Sequence, residues 1–597
     1  MKRRPVLVFD GDCGFCRLWI ERWRRATRGK VDDEPFQTAA VNHPEVARKD
    51  FAEAVHLFEA GRTSRGAEAV LRALAHAPGL SLLPRLYAMP GVAPVAEAVY
   101  RFIAERRPFF SRLTRLLWGH STVTPSIGFT VRLVLAGIGL CYLIAFASLG
   151  AQVRGLIGSD GIMPAAAMLT TAKSQIGTLR FWLLPTVAWF SSSDATLVAY
   201  CWLGAFASLG LIFGVAAGPS ALACWALYLS LSAIGSNFMS FQWDALLLEA
   251  GLIACLLAPW TALSKRASSP SRGALWLMRL LLLKLMLQSG LVKLYSGDQA
   301  WRDLSALTYH YWTQPLPTPL AWWFNRLPVW AHELSCRIMF AIELGAPFLI
   351  LMPRRARAAG AGAIIVLMLL IAATGNYGFF NLLTIVLCLS CLDDRFLGRY
   401  KPGPVQSAAP MARAWDVGLV AAISLAIGIF ETSAIVGVVP PAPARMLIAA
   451  VAPLRSFNRY DLFAVMTRTR DEIAVEVSAD GRAWREWPFR YKPGDPRRAP
   501  PVVAPHMPRL DWQCWFAALG KPGDSPWFGN FIFRLLEGRP SVTRLMGKNP
   551  LGDAKPLYAR AVRYETAFAS EEQARTNGTW WTRERKGLFF PVVSLQR

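Results

Sequence analysis

Apolar residues follow two regimes along the chain. Up to about residue 118 they come in short bursts between polar neighbours. "PVLVF" is a brief apolar run of buried-strand length. "CRLWIERWRRATRG" sets Leu18 and Trp19 against a basic face and closes at Gly29, which predicts a helix. "AVHLFEAG" predicts a strand, and "GAEAVLRALAHAPG" a helix ending at Pro78–Gly79. "VAEAVYRFIAERRPFFSRLTRLLW" predicts one basic amphipathic helix running toward a membrane. Residues 1–118 are therefore expected to form a soluble α/β domain.

Further on, the apolar runs lengthen to about twenty residues, enough to cross a hydrocarbon core. Spans are predicted near 126–149, 195–217, 219–236, 243–260, 274–296, 333–352, 358–374, 377–392 and 415–439. The short segment 178–190, interrupted by Pro185, reads as interfacial or re-entrant. Residues 119–440 thus form an expected multi-pass α-helical membrane domain of about nine spans. Its loop 297–332 is rich in Trp, Tyr and Pro and is expected to lie along the outer interface. Residues 441–597 return to a polar pattern and are expected to form a β-rich α+β domain. "DEIAVEVSADGRAWREWPFRY" predicts a hairpin at Asp480–Gly481. "RLDWQCWFAALG" and "PWFGNFIFRLLEG" predict helices, and "LYARAVRYETAF" and "LFFPVVSL" strands.

Composition agrees with a membrane protein: 53% of the 597 residues are hydrophobic and 18% charged. The net charge of +25 would suggest nucleic acid in a soluble protein. Here the arginines sit in loops and terminal domains, which favours lipid headgroups and topology over nucleic acid. Four basic clusters are informative: Arg106, Arg107, Arg112 and Arg115; Lys265, Arg266 and Arg272; Arg354, Arg355 and Arg357; Arg395, Arg399, Lys401 and Arg413. With nine spans all four lie on the side of the N-terminus. The positive-inside rule makes that side cytoplasmic and the C-terminal domain external. The apolar stretch at the start is too short for a signal-peptide core, so no cleavable signal is expected.

Of ten cysteines, only Cys13/Cys16 and Cys388/Cys391 are closely paired, which is no disulfide framework. Cys13 and Cys16 follow a strand and open a helix. Free N–H groups there favour a thiolate on Cys13, and Cys16, one turn on, can resolve a mixed disulfide. Asp10 and Asp12 oppose thiolate formation. "FDGDCGFCRLW", "GAEAVLRAL" and "AEAVYRFIAERR" together resemble the DCC family of thiol-disulfide oxidoreductases. The resemblance implies a thioredoxin-like domain with Asp10, Asp12, Cys13 and Cys16 as its redox motif. Unlike thioredoxins, the chain has no proline just before "AVHLFEAG". Two alternatives stay open: a haloacid-dehalogenase-type phosphatase with Asp10 as nucleophile and Asp12 as general acid, and an inert or metal-binding cysteine pair. His43, His56 and His76 lack metal-ligand spacing, so no metal or other cofactor is assigned.

Charged residues inside spans mark function or pairing. Asp244 and Glu249 fall in the fourth predicted span, Lys284 and Lys293 in the fifth, and Glu343 in the sixth. Depth alone pairs Lys284 with Glu343, and Lys293 with Asp244 or Glu249. Helix packing and an outward-facing substrate cavity are the two roles considered. Cys388 and Cys391 lie one turn apart at the inner end of the eighth span, either as small packed residues or as a thiol relay.

"IGSDGIMPA", "FQWDALLLE", "LQSGLVKLYSGDQAWRDLSALTYHYWTQPLPTPLAWW", "ATGNYGFFN", "FRYKPGD" and "PHMPRLDWQCWFAAL" are similar to the lipase maturation factor family, over about 125–597. The resemblance implies a membrane protein that assists folding and assembly of exported lipases. "WDALLLE" followed by "GLVKL" more distantly resembles vitamin K-dependent γ-glutamyl carboxylase, with Lys293 at the position of its catalytic base. The expected partners are an exported client such as a lipase, a cellular thiol reductant and membrane lipids. The alternatives are a membrane-linked thiol-disulfide oxidoreductase and a carboxylase-related enzyme. Arg- and Ala-rich usage suggests a bacterial inner membrane, with the endoplasmic reticulum as the eukaryotic counterpart. Asn577, Gly578 and Thr579 form one sequon in the outer domain, which holds a single cysteine, Cys514.

Overall fold

The computed structural model describes residues 4–119, 125–260, 270–399 and 411–595. Lys265, Arg266 and Lys401, and the side chain of Arg413, lie outside the described residues. The chain divides into two compact units: Met1–Pro125 with Pro353–Ala356, and Ser126–Met352 with Arg357–Arg597.

The first unit is α/β. Its strands are β1 (Val6–Phe9), β2 (Asp32–Pro35), β3 (His56–Glu59) and β4 (Arg62–Arg65), in the order β2-β1-β3-β4. β1 pairs parallel with β2 and antiparallel with β3. A centre strand is covered on both faces, which is why β1 is a continuous apolar run. Leu7 and Phe9 pack with Ile20 of α1 (Gly14–Ala26) and Ala69 of α2 (Gly66–Leu74). Val8 points the other way, to Ala39 and Phe51. The β3–β4 hairpin turns at Ala60 and Gly61, both at positive φ, as a tight two-residue turn requires. The single amphipathic helix expected over 95–118 is two helices, α3 (Val92–Glu105) and α4 (Arg107–Trp118). The break falls at Arg106 (φ −114°, ψ 31°), and Pro108, with no N–H to continue the first helix's ladder, sits in the first turn of the second.

The second unit holds the membrane helices and a strand-rich C-terminal region in one hydrophobic core. Seven helices among the described residues are long and apolar enough to cross a membrane. They are α5 (Gly128–Gly150), α6 (Asp194–Phe213), α7 (Ala217–Ile234), α9 (Arg272–Tyr295), α10 (Val329–Leu351), α11 (Arg354–Thr374) and α13 (Met411–Ile435), of which Trp415–Ile435 is the apolar stretch. The protein is a multi-pass membrane protein. Two of the nine expected spans are shorter helices, α8 (Gln242–Leu257) and α12 (Phe380–Leu389), so length alone gives seven. A π-helical turn, Ala341–Gly345, interrupts α10. Segment 178–190 holds the end of a 3-10 turn, Gly177–Leu179, a short helix, Arg180–Leu183, and a second 3-10 turn, Val187–Trp189.

In the C-terminal region β5 (Asp471–Ser478), β6 (Arg485–Trp487), β7 (Tyr558–Phe568) and β8 (Trp581–Ser594) form an antiparallel sheet ordered β6-β5-β7-β8. α14 (Arg509–Ala518) and α15 (Pro526–Leu536) pack on it. The 297–332 loop, expected to lie along the outer interface, tucks Trp301 and Trp322 against this region. Trp301 Nε1 donates to Phe463 O (3.0 Å), and Trp322 meets Trp580 at 5.3 Å between ring centres. Trp323 stays exposed.

Candidate functional site

The turn after β1 is built around Gly11. A side chain there would collide with Pro35 and with the Gln37 amide, so the sequence places glycine between two aspartates. Cys13 is the extended N-cap of α1, and its Sγ accepts the Cys16 N–H at 3.4 Å. Both thiols are half-buried and free. Burial first, and then the contact with Cys13, pushes the Cys16 thiol up to about 12. The two sulfurs therefore differ: Cys16 is held as a thiol, as a buried resolving group is, while Cys13 sits at the helix start.

Asp10 and Asp12 brace this turn. Gln37 Nε2 donates to Asp10 Oδ1 (3.1 Å) and Asp12 Oδ2 (3.0 Å), and Gln37 Oε1 accepts from Gly11 N–H (3.1 Å). Arg107 reaches Asp10 Oδ2 at 3.5 Å and donates to the carbonyls of Ala52 and Glu53. A phosphatase nucleophile needs a carboxylate free to attack, and Asp10 is held by both partners. Val55 occupies the position before β3, and its N–H is taken by Tyr100 Oη at 2.9 Å. Gln37 and Arg107 were not singled out from sequence as site residues. Arg107 was visible only as one of a cluster of topological arginines.

In the second unit the intramembrane charges pair differently from the expectation. Lys284 bonds Glu249, not Glu343. Lys293 Nζ bonds both oxygens of Glu343 (2.9 and 2.8 Å) and Ser289 O (3.1 Å), not Asp244 or Glu249. Asp244 takes Arg509 of the C-terminal region, at 2.8 Å on each oxygen, and the Tyr228 hydroxyl. Helix geometry explains the exchange. At about 100° per residue, Lys284 and Lys293 point to opposite sides of α9. One faces α8 and the other the π turn of α10. Glu343 is buried on that turn, where Gly290 of α9 leaves room for Leu344 and Glu343.

Glu249 is completed from the C-terminal region as well. Asn458 N–H (3.1 Å) and Tyr460 Oη (2.8 Å) donate to its second oxygen, and Tyr460 N–H donates to Gln288 Oε1 (3.1 Å). A third lock joins the region to the 297–332 loop. Arg470 donates to the carbonyls of Trp312 (2.9 Å), Gln314 and Pro315 (2.8 Å) and pairs with Glu472, which also meets Lys492 at 2.5 Å. Every charge in these locks is buried, so each depends on its partner. Arg509 lies inside the quoted "PHMPRLDWQCWFAAL" string, but nothing near it in sequence reveals its partner 265 residues away. Cys388, Cys391 and Cys514 are buried.

Residues 129–399 match the family described as lipase maturation factor transmembrane domain, and 456–591 the lipase maturation factor C-terminal domain. Lipase maturation factor 2 of Homo sapiens is 35% identical over 588 residues, covering 78% of this chain and 82% of that protein. The chain belongs to the lipase maturation factor family. Lipase maturation factor 1 of Bos taurus is 33% identical over 501 residues, covering 78% of this chain and 88% of that protein. Residues 7–113 match a DCC1-like thiol-disulfide oxidoreductase, so this family member carries a thiol-disulfide-type domain ahead of its membrane part. No solved structure matches the chain. All three interlocks fall within the stretch matched to the lipase maturation factor domains.

Proposed function

We propose that the chain assists maturation of exported proteins such as lipases. The membrane bundle and C-terminal region act as one rigid platform for the client, and the N-terminal unit is a thioredoxin-like thiol-disulfide domain. The observation that carries this is the buried interlocking at Asp244–Arg509 and Glu249–Tyr460, which makes the outer region part of the membrane unit rather than a loose arm. The sheet order β2-β1-β3-β4 with a Cys-x-x-Cys at the start of α1 supports the redox assignment. The proposed functional divisions are 1–118, 119–440 and 441–597, with a cellular thiol reductant serving Cys13 and Cys16. The test is a secreted lipase co-expressed with the full chain, with a chain lacking 456–595, and with Cys13→Ser/Cys16→Ser. The full chain raises exported lipase activity and the truncation does not. No gain with the full chain would sink the proposal. An unchanged gain with the double serine variant would separate the redox domain from maturation.

Nine crossings with a cytoplasmic N-terminus remain the proposed topology, in a bacterial inner membrane or an endoplasmic reticulum. Two observations support counting α8 and α12. Gly218 N–H at the start of α7 donates to Pro259 O beyond the end of α8 (2.9 Å), while Tyr228 reaches Asp244 near the other end. Asp394 after α12 accepts from Thr130 N–H at the start of α5 (2.9 Å), while Gly378 and Ser148 both approach Met507. Each short helix thus travels the depth of a long neighbour. Membrane-impermeant maleimide on sealed cells should label Ser594→Cys and spare Cys13; the reverse would overturn the orientation. A carboxylase-related reaction through Lys293 is the weaker alternative, because Lys293 spends its N–H groups on Glu343 and Ser289.

A further inference from the structure

The turn at Cys13 is flanked by positive charge that the fold itself does not consume. α4 packs along α1, with Trp118 edge-on to Trp19 at 5.7 Å between ring centres. The Arg22 guanidinium lies over both rings, at 5.2 and 5.3 Å. One turn before Trp118, Arg115 is thereby brought to the start of α1. Its Nη2 lies 3.9 Å from the point a Cβ on Gly14 would occupy. Apart from the adjoining residues and the backbone of α1, no other described atom comes within 4 Å of that point. The glycine between the two cysteines therefore leaves open space with a guanidinium at its edge.

Arg17 stands at the same end of α1, where its N–H donates to the Cys13 carbonyl at 3.0 Å. Arg17 and Arg115 are both exposed. Among the described residues neither guanidinium has a hydrogen bond or an ion pair. The neighbouring acids are engaged elsewhere: Asp10 by Gln37 and Arg107, Asp12 by Gln37. A free guanidinium offers a planar fork of donors that matches a carboxylate. The cysteine pair calls for a sulfur ligand, and the two unpaired arginines call for an anionic one.

We propose that Arg115, with Arg17, holds the carboxylate of a small anionic disulfide while Cys13 attacks its sulfur. This rests on the thiol-disulfide role proposed for the N-terminal unit and adds the class of its partner. In the proposed topology an exported client lies across the membrane, which leaves a cytoplasmic thiol compound to serve the pair. The Cys13 thiolate forms a bond to one sulfur of the small disulfide, and the other sulfur leaves as a thiolate. Cys16 then passes its proton to that thiolate and attacks Cys13 Sγ, expelling the second small thiolate. The small disulfide gains two electrons, and Cys13 and Cys16 lose two in forming their own disulfide. Run backwards, the same steps let an anionic thiol reduce the pair.

The test uses the full chain carrying Cys16→Ala, which stops at the mixed disulfide. The rate of adduct formation at Cys13 is read by mass spectrometry with glutathione disulfide (anionic), 2-hydroxyethyl disulfide (neutral) and cystamine (cationic). The anionic-to-neutral rate ratio should fall about three- to fivefold in Arg115→Gln, the size of one exposed ion pair, and further with Arg17→Gln added. Arg115→Lys should keep most of the ratio. Raising salt from about 0.02 to about 0.5 M should lower the ratio without any substitution at either arginine, and decides should Arg115→Gln not fold. Cystamine should show the opposite salt trend. A ratio unchanged by folded Arg115→Gln, or unchanged by salt, would overturn the proposal. So would an equal fall in Arg62→Gln, which removes the same charge from β4. No adduct at Cys13 with any of the three disulfides would instead sink the redox reading, and this inference with it.

Discussion

Arg509 and Asp244, 265 residues apart in sequence, form a bidentate ion pair with both N–O distances at 2.8 Å and neither side chain open to solvent. The pair ties the C-terminal helix α14 to the start of α8. Removing one partner strands the other charge, so Arg509→Ala should destabilise the protein by about 3–5 kcal/mol. Arg509→Met combined with Asp244→Leu should recover much of that loss. Thermal unfolding in detergent checks both, and equal melting of single and double variants would show that the charge is not what matters.

Cys16 should be the slower thiol. Its raised value, about 12, comes first from burial, so it persists when Cys13 is replaced. Iodoacetamide at pH 8 should modify Cys13 in Cys16→Ala at least about tenfold faster than Cys16 in Cys13→Ala. Raising the pH from 8 to 10 should steadily accelerate the Cys16 reaction. Equal rates at pH 8 would remove the distinction between attacking and resolving sulfur.

Asp511 gives a pH signature. Burial pushes it up to about 6, against the pull of N–H donors from Tyr491 (2.9 Å) and Lys492 (3.0 Å). An acid raised in the folded state contributes stability below its unfolded value, near 4, and loses it as pH rises through 6. Two units correspond to about 3 kcal/mol. Asp511→Asn keeps the acceptor and removes the charge. It should melt higher than the parent at pH 7.5, with the gain shrinking as pH falls from 6 to 4. A gain that does not vary with pH would rule out titration as its cause.

Gly155 lies in the short helix Val153–Ile157, where a side chain would strike Ser541 O and Leu545 of the C-terminal region. Backbone cannot move aside as a flexible side chain does. Gly155→Ala should therefore cost about 1–3 kcal/mol. Limited proteolysis should cut residues 456–595 of this variant faster than the parent, and an unchanged pattern would place the contact elsewhere.

Much of the local structure was legible. β1, the turn at Cys13 and α1 follow from an apolar run, a glycine-bearing acidic turn and an amphipathic helix, and β5 and β6 from alternation around Asp480–Gly481. β2 was not, because "DDEP" has no apolar residue and owes its strand form to pairing with β1. The ion pairs were half-legible. Sequence gives the depth of Lys284 and Lys293 in the membrane, but a partner also depends on direction around the helix axis, and depth alone exchanged the two. Arg509 was beyond reach, since its role exists only once α14 is folded against α8.

The chain is made from the N-terminus, so α8 and α9 exist before residues 458, 460 and 509 do. Until then Glu249 lacks its Asn458 and Tyr460 donors, Gln288 lacks the Tyr460 N–H, and Asp244 lacks Arg509. The membrane helices are thus synthesised with their polar groups part-satisfied and are closed by the last-made segment, like an arch by its keystone. A polypeptide halted after residue 440 would carry every expected span and still leave the bundle open.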